Sequence, residues 1–235
     1  MQKIEFTKMH GLGNDFVIID KRSNEIEIND NLIQKLSDRR TGAGCDQLIT
    51  INDPKNKDAD VSIDIFNPAG DKAEACGNGT RCVAKILFNE NNGKESLKIL
   101  SDAGTLIAKK VKDQISVNMG IISSDWKRIP LSKAMNTLNV PIHVDGFDAG
   151  VAVNIGNPHI VFFGKSIENV KLNEIGPKIE QHHFFPNKTN VEFIEVINSN
   201  TIKIRSTTIN KHMLFQTIRR VTVSEHVGSS TVLAT

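Results

Sequence analysis

Gly13-Asn14-Asp15-Phe16-Val17-Ile18-Ile19 returns later in the chain as Gly156-Asn157-Pro158-His159-Ile160-Val161-Phe162. In each copy a Gly-Asn turn opens a short apolar run, the pattern of a buried strand. The offset, read from Asn14 to Asn157, is 143 residues. The same offset carries a helical stretch from Asp30 to Arg39 onto a weaker helical pattern that holds Ile175 and Ile179. The first stretch has Leu32, Ile33 and Leu36 on one face and Gly42 past its end. The second is interrupted by Pro177, which cannot donate a helical hydrogen bond. Gln47 falls on Asn190, and each opens a strand. Three matches in register predict two similar halves. The first is expected over residues 1–125 and the second over 145–235. Residues 126–144 form the connection, where Pro130 and Pro141 stand in a poorly periodic stretch.

Between the copies, most segments read as short strands: Leu48–Ile51, Val61–Phe66, Leu97–Leu100 and Gln114–Val117. A second helix is expected just after Gly79, with Cys82, Val83, Ala84, Ile86, Leu87 and Phe88. Being apolar nearly all round, it reads as a buried central helix.

The loop ahead of that helix, Ala75-Cys76-Gly77-Asn78-Gly79, is where chemistry is expected. Backbone N–H groups at a helix N-terminus are unpaired and partly positive. A thiol placed there is expected to have a lowered pKa. Gly77 and Gly79 let a ligand approach those N–H groups, and a carboxylate binds such groups well. One loop can thus hold an α-carboxylate and set a thiolate beside the adjacent C–H. On a plainer reading of the same loop, Cys76 fills a small buried space and Gly-Asn-Gly is a turn. Cys82, on the apolar helix, and Cys45, after Gly44, read as packing residues. His159 reads either as a hydrogen-bonded structural residue or as a group that tunes a thiol. Asn14, Asn67, Asn157 and Asn190 sit at strand or turn edges. Singly each is a turn former, and together they can bind the charged groups of a zwitterion. The offset carries Cys76 to Arg219, and no cysteine follows Cys82.

The bulk numbers exclude several classes. The chain has 235 residues, 39% of them hydrophobic and 24% charged, with a net charge of +2. No basic run with interleaved aromatics suggests a nucleic acid as partner. No apolar run approaches the roughly 20 residues of a membrane span. Three cysteines without a C-x-x-C pair suggest neither a disulfide scaffold nor a zinc site, and a reducing cytoplasm is the expected setting. His182 and His183 show no metal spacing, and the glycines complete no nucleotide-binding motif.

The chain resembles the diaminopimelate epimerase family at Lys8-Met9-His10-Gly11-Leu12-Gly13-Asn14-Asp15-Phe16 and Gly42-Ala43-Gly44-Cys45-Asp46-Gln47. Further matches are Phe66-Asn67, Ala75 to Cys82, Gly156-Asn157-Pro158-His159 and Asn190-Val191-Glu192-Phe193. The likeness covers roughly residues 3 to 205. It implies two pseudo-symmetric α/β domains of the α+β type, each a β-sheet wrapped around a central helix. It implies interconversion of LL- and meso-diaminopimelate by two cysteines facing the α-carbon, in lysine and peptidoglycan precursor synthesis, without a cofactor or metal. Under this likeness Cys76 is one acid/base and His159 assists the thiols. Asn14, Gln47, Asn67, Gly77, Asn78, Asn157 and Asn190 bind the substrate. The expected partner is that small-molecule amino acid, with no nucleic acid or membrane involved, and a homodimer is the assembly allowed for. From Ser206 onward the sequence departs from the family pattern. The Glu-Arg-Gly turn and the second Cys-Gly-Thr/Ser-Gly loop are absent. A shortened, atypical C-terminus and an incomplete second domain are therefore expected. Three other readings stay open: a ligand-binding remnant lacking the second cysteine, a related amino-acid racemase, and a Cys-His thiol hydrolase.

Overall fold

A computed structural model describes residues 3–11, 13–23, 25–73, 75–91, 93–199 and 201–207, with the backbone alone of 213–219, 221–222 and 231–232. The chain divides into two compact units, Met1–Met119 and Gly120–Thr235.

In the first unit the strands are β1 (Thr7–Gly11), β2 (Asn14–Asp20), β3 (Gln47–Asn52), β4 (Val61–Phe66), β5 (Lys72–Ala73), β6 (Ser96–Ser101), β7 (Gly104–Val111) and β8 (Gln114–Asn118). Helix α1 spans Asp30–Ser37 and α2 spans Gly77–Glu90. The sheet runs in the order β1-β2-β3-β4-β6-β7-β8, with β5 paired to β4. β2 and β3 are parallel, with Phe16 opposite Gln47, and α1 makes the crossover between them. Parallel strands are covered on both faces. Accordingly Phe16, Ile18, Ile49 and Ile51 pack with α2, while Val17, Ile19 and Leu48 pack with Cys45 and Ile26, beside Leu32 and Leu36 of α1. That two-sided burial is why both segments read as unbroken apolar runs.

Helix α2 is the buried centre of this unit. Cys82, Val83, Ala84, Leu87 and Phe88 are all buried against strand residues from β2 to β8. The helix begins at Gly77, three residues before the expected start, because Cys76 itself is its N-cap. Helix α1 also departs from expectation, ending at Ser37 rather than Arg39. The Asp38 carboxylate accepts from the N–H groups of Arg40 and Thr41 at 2.8 and 2.7 Å, which turns the chain out of the helix. Gly42 is required just beyond: a Cβ there would lie 1.9 Å from the Lys35 carbonyl oxygen. Strands β1 and β7 are ones the periodicity does not single out.

The second unit holds β9 (Val151–Asn154), β10 (Pro158–Phe163), α3 (Leu172–Glu180), β11 (Asn190–Asn198), β12 (Thr201–Thr207) and β13 (Met213–Arg219), in the sheet order β13-β12-β11-β10-β9. β10 and β11 are parallel, and His159 stands opposite Asn190. Both numbers are those of the Phe16–Gln47 pair moved by the 143-residue offset, so the repeat is a repeat of fold as well as of sequence. Helix α3 forms in spite of Pro177, which costs it one internal hydrogen bond. Burial of Leu172 and Ile179 with Phe184, Phe185 and Ile167 outweighs that loss. Residues 126–144 carry no helix or strand beyond an isolated bridge at Val140, yet Ile129, Leu131, Val140 and Ile142 are buried in the same cluster. Of the segment that the offset would set over α2, 220–233, the backbone is described at Val221–Thr222 and Thr231–Val232, each a two-residue strand, and the rest lies outside the described residues. Among the described residues, no helix is long and apolar enough to cross a membrane.

Candidate functional site

The polar residues singled out in the first unit are gathered by topology. Asn14 begins β2, Gln47 begins the parallel β3, and Asn67 follows the end of the antiparallel β4. These are neighbouring points at one end of the sheet. In register, Asn14, Phe16 and Gln47 share the face that packs on α2, since side chains alternate along a strand. Cys76 caps α2 from that side, with its Sγ 3.7 Å from Asn14 Oδ1.

Cys76 has extended backbone angles, φ −149° and ψ 103°, and its sulfur accepts from the Gly79 N–H at 3.4 Å. Thr80 ties the cap down from behind, its N–H and hydroxyl both donating to the Cys76 carbonyl at 2.8 and 2.9 Å. Gly79 is needed for this geometry. A Cβ there would stand 2.5 Å from Ile49 Cδ1 and 3.5 Å from the Cys76 sulfur. Ile49 is fully buried and cannot swing aside. Replacing Gly79 by alanine is expected to destabilise the fold by about 1–3 kcal/mol through overpacking. It should also shift the thiol. Urea unfolding together with the rate of Cys76 alkylation checks both, and an unchanged midpoint would remove the packing argument.

The expected lowering of the Cys76 pKa is not found. Burial of the half-buried side chain penalises the thiolate and pushes the thiol above its ordinary value. The Gly79 and Asn78 N–H groups and the charge of Arg81 pull it back only in part, and Asp46 opposes them. The helix end acts as expected, but desolvation is larger. Cys82 is buried and pushed up to about 11, and Cys45 is also raised by burial, with its thiol donating to the Ser37 hydroxyl at 3.4 Å. Both are packing residues, as their positions predict.

Asn14 is oriented by a residue the sequence reading passed over. Its Nδ2 donates to Asp46 Oδ2 at 3.0 Å, which turns Oδ1 toward the thiol. Asp46 also accepts from the Asp15 N–H at 3.0 Å and from Arg39 at 2.6 Å. Arg39 grips Asp15 as well, at 2.7 Å, and Lys8 reaches the same carboxylate at 2.8 Å. Burial works against the Asp15 carboxylate, but the hydrogen bonds and charges of Arg39 and Lys8 hold it well below the usual range. The signal for Asp46 was its place beside Gln47, at the mouth of β3. Gln47 Nε2 donates to Asn67 Oδ1 at 3.1 Å, and Asn67 Nδ2 donates to Asp71 at 2.6 Å. Asn78 accepts from Arg81 within the first turn of α2, and Gly77 leaves room for the Met119 sulfur.

In the second unit the equivalent strand ends carry Asn157, His159 and Asn190. His159 Nδ1 lies 2.8 Å from Glu192 Oε1 and its Nε2 lies 2.7 Å from Asn157 Oδ1. Asn190 Nδ2 donates to the Pro158 carbonyl at 3.0 Å. Burial disfavours the imidazolium, but the Glu192 charge and hydrogen bond more than offset it and leave the His159 pKa raised. Glu192 is a second residue that sequence reading missed. Its signal was the period of two along β11, which puts it on the same face as Asn190. Among the described residues, no group of three or more His, Cys, Asp or Glu could hold a metal ion.

In architecture the chain joins a class of two-part α/β proteins that includes epimerases. A hydroxyproline epimerase from Agrobacterium vitis aligns with a TM-score of 0.63 at 11% identity, over 89% of this chain and 71% of that one. A PhzF-family phenazine biosynthesis protein of Bacillus anthracis aligns with a TM-score of 0.57 at 17% identity, over 88% of this chain and 73% of that one. At such identities the likeness is one of fold alone. A model of the diaminopimelate epimerase family matches residues 6–123 and 151–231. The diaminopimelate epimerase of Pelagibacter ubique is 44% identical over 208 residues, covering 86% of this chain and 74% of that protein. That of Zymomonas mobilis is 43% identical, covering 86% and 72%. The chain belongs to the diaminopimelate epimerase family.

Proposed function

We propose that this chain removes and returns the α-proton of diaminopimelate, with Cys76 as one of the acid/base groups in the interconversion of the LL and meso forms. The observation that carries the reading is the Cys76 cap. It sets a sulfur at the N-terminus of a buried helix, beside the N–H groups of the first turn, and the sulfur accepts from the Gly79 N–H. In this reading the α-carboxylate is received by those N–H groups, and Asn14, Gln47, Asn67 and Asn78 orient the rest of the substrate. The Cys76 thiolate takes the proton from Cα, forming S–H and leaving the electron pair on the carbon. The helix N-terminus stabilises the charge that spreads into the carboxylate. A proton from a donor on the opposite face then completes inversion. A thiol of raised pKa suits this task. Once ionised it is a strong base for a weakly acidic C–H, and in its resting protonated form it is ready to donate. Asn157, His159 and Asn190 belong to the same reading as substrate-side groups of the second unit. A cytoplasmic homodimer is the setting we infer for it.

Of the three cysteines, Cys45 and Cys82 are packed in cores, so these 235 residues offer one reacting thiol. This favours a sharper form of the reading, in which exchange on the Cys76 face outruns inversion. The test is incubation of the 235-residue chain with each diaminopimelate isomer in D2O, with deuterium at Cα and stereochemistry scored separately. Deuterium incorporation that exceeds inversion is the expected result. Inversion as fast as exchange would show that another group supplies the second proton efficiently. Binding of diaminopimelate with no exchange would replace the reading with that of a ligand-binding relative.

A further inference from the structure

The contact chain Glu192–His159–Asn157 contains an ambiguity that only protonation resolves. Both ring nitrogens of His159 face oxygen atoms, Glu192 Oε1 at 2.8 Å and Asn157 Oδ1 at 2.7 Å. An oxygen acceptor needs a donor, so this arrangement is satisfied only by an imidazolium with both N–H groups in place. A neutral His159 that still donates from Nδ1 to Glu192 presents a bare Nε2. Asn157 must then rotate its amide by half a turn and donate from Nδ2. The charge on His159 therefore decides which end of the Asn157 amide faces the ring and which end faces away.

Glu192 biases that choice. Its side chain is 10% exposed, and its Oε2 is buried without a hydrogen-bond partner among the described residues. A buried carboxylate short of donors is costly, and a positive partner offsets much of the cost. On β9 the residue paired with His159 is Val153, and on β11 the pair is Asn190 with Glu192 two positions further on the same face. Among the described residues Glu192 is the charged group acting on the ring. Burial alone would favour the neutral form.

We propose that Glu192, acting through His159, keeps the Asn157 amide turned so that its NH2 end is offered to an incoming carboxylate, and is thus a positioning residue for substrate binding. The inference rests on the epimerase reading, in which Asn157 contacts the substrate. With His159 charged, Oδ1 is taken by Nε2–H and the NH2 group is free to donate. With His159 neutral, Nδ2 is drawn to the ring and a carboxylate meets Oδ1, an acceptor that repels it. Substrate affinity should accordingly be present below the His159 pKa and fall as pH rises through it.

The test replaces Glu192 by glutamine, which keeps the shape and removes the charge. The His159 ring titration is followed by 15N NMR without substrate, and KM and kcat for α-proton exchange of diaminopimelate are followed against pH. The ring titration of Glu192→Gln is expected at lower pH than in the parent chain, with the rise in KM moving down the pH axis by the same interval. Between the two midpoints KM should be about tenfold higher, the size of one charge-assisted hydrogen bond, with kcat changed far less. Glu192→Asp, which restores the charge, should bring both midpoints back toward the parent. An unshifted ring titration, or a shifted one with an unmoved KM profile, would overturn the proposal. If the ring shifts as expected but diaminopimelate binds neither protein at any pH, the epimerase reading fails and the proposed role in substrate binding falls with it, while the Glu192–His159 linkage stands. If Glu192→Gln does not fold, the parent chain decides: the 15N ring titration and the rise in KM should share one midpoint, and two separate midpoints would overturn the proposal.

Discussion

Replacing Cys76 by alanine is expected to lower α-proton exchange of diaminopimelate by about three orders of magnitude or more, the usual cost of removing one member of an acid/base set that acts as a unit. Cys76 is the only one of the three cysteines placed to react. Its half-buried sulfur lies at the N-terminus of α2, while Cys45 and Cys82 are buried at 2% and 4% exposure. The alanine variant should still fold. The cap accepts a weak N–H···S contact at 3.4 Å, and the backbone bond from Thr80 to the residue 76 carbonyl does not depend on the side chain. Loss of an N-cap acceptor costs about 1 kcal/mol. Exchange rates and a thermal melt on the same sample separate the two effects. An alanine variant that exchanges at the parental rate would remove Cys76 from the chemistry. A serine variant sharpens the reading, since it keeps the cap acceptor but is a far poorer base. It should match the parent in stability and the alanine variant in rate.

Truncating Phe88 to alanine is expected to cost about 3–5 kcal/mol, the range for removing a large aromatic from a closed core. Phe88 is fully buried near the end of α2, in the cluster that joins the helix to β2, β3, β4, β6, β7 and β8. These strands wrap one helix, so the void has no loop that can collapse into it. The loss is comparable to the whole stability of many domains, and the first unit should be largely unfolded near 40 °C. Chemical denaturation followed by far-UV circular dichroism reads the effect. A cost below about 1 kcal/mol would mean that the strands do not close around α2 as described. Phe88 and Cys76 sit at opposite ends of the same helix. Any active fraction of this variant should therefore retain the parental exchange rate per folded molecule.

Strand and helix ends are legible because they are marked in sequence by turn residues. Asn14, Asn67, Asn157 and Asn190 stand out by their positions at strand or turn edges, Gln47 enters as a substrate binder through the family resemblance, and topology brings the members within each unit to one sheet end. Asp46 and Glu192 were not singled out. A carboxylate beside a strand start looks like any solvated acid until packing shows what it touches. Asp46 matters because Asn14, Asp15 and Arg39 converge on it, and those residues come from different parts of the chain. The direction of the Cys76 pKa was misread for a related reason. A helix N-terminus is visible in a sequence, whereas the burial that outweighs it is a property of the folded core.

The periodic and repeated parts of the chain are written in its local pattern: the buried strands, the central helix, the 143-residue repeat and the cysteine loop between two glycines. These follow from local patterns of apolar residues and turn formers, which act over a few residues and need no tertiary context. Which polar groups meet is set by the packing of the folded chain. It set the amide of Asn14 against Asp46, joined His159 to Glu192 and Asn157, and made Cys76 a raised thiol rather than a lowered one. Hydrogen-bond partners and desolvation depend on atoms brought together from distant parts of the chain, and no local pattern carries that information.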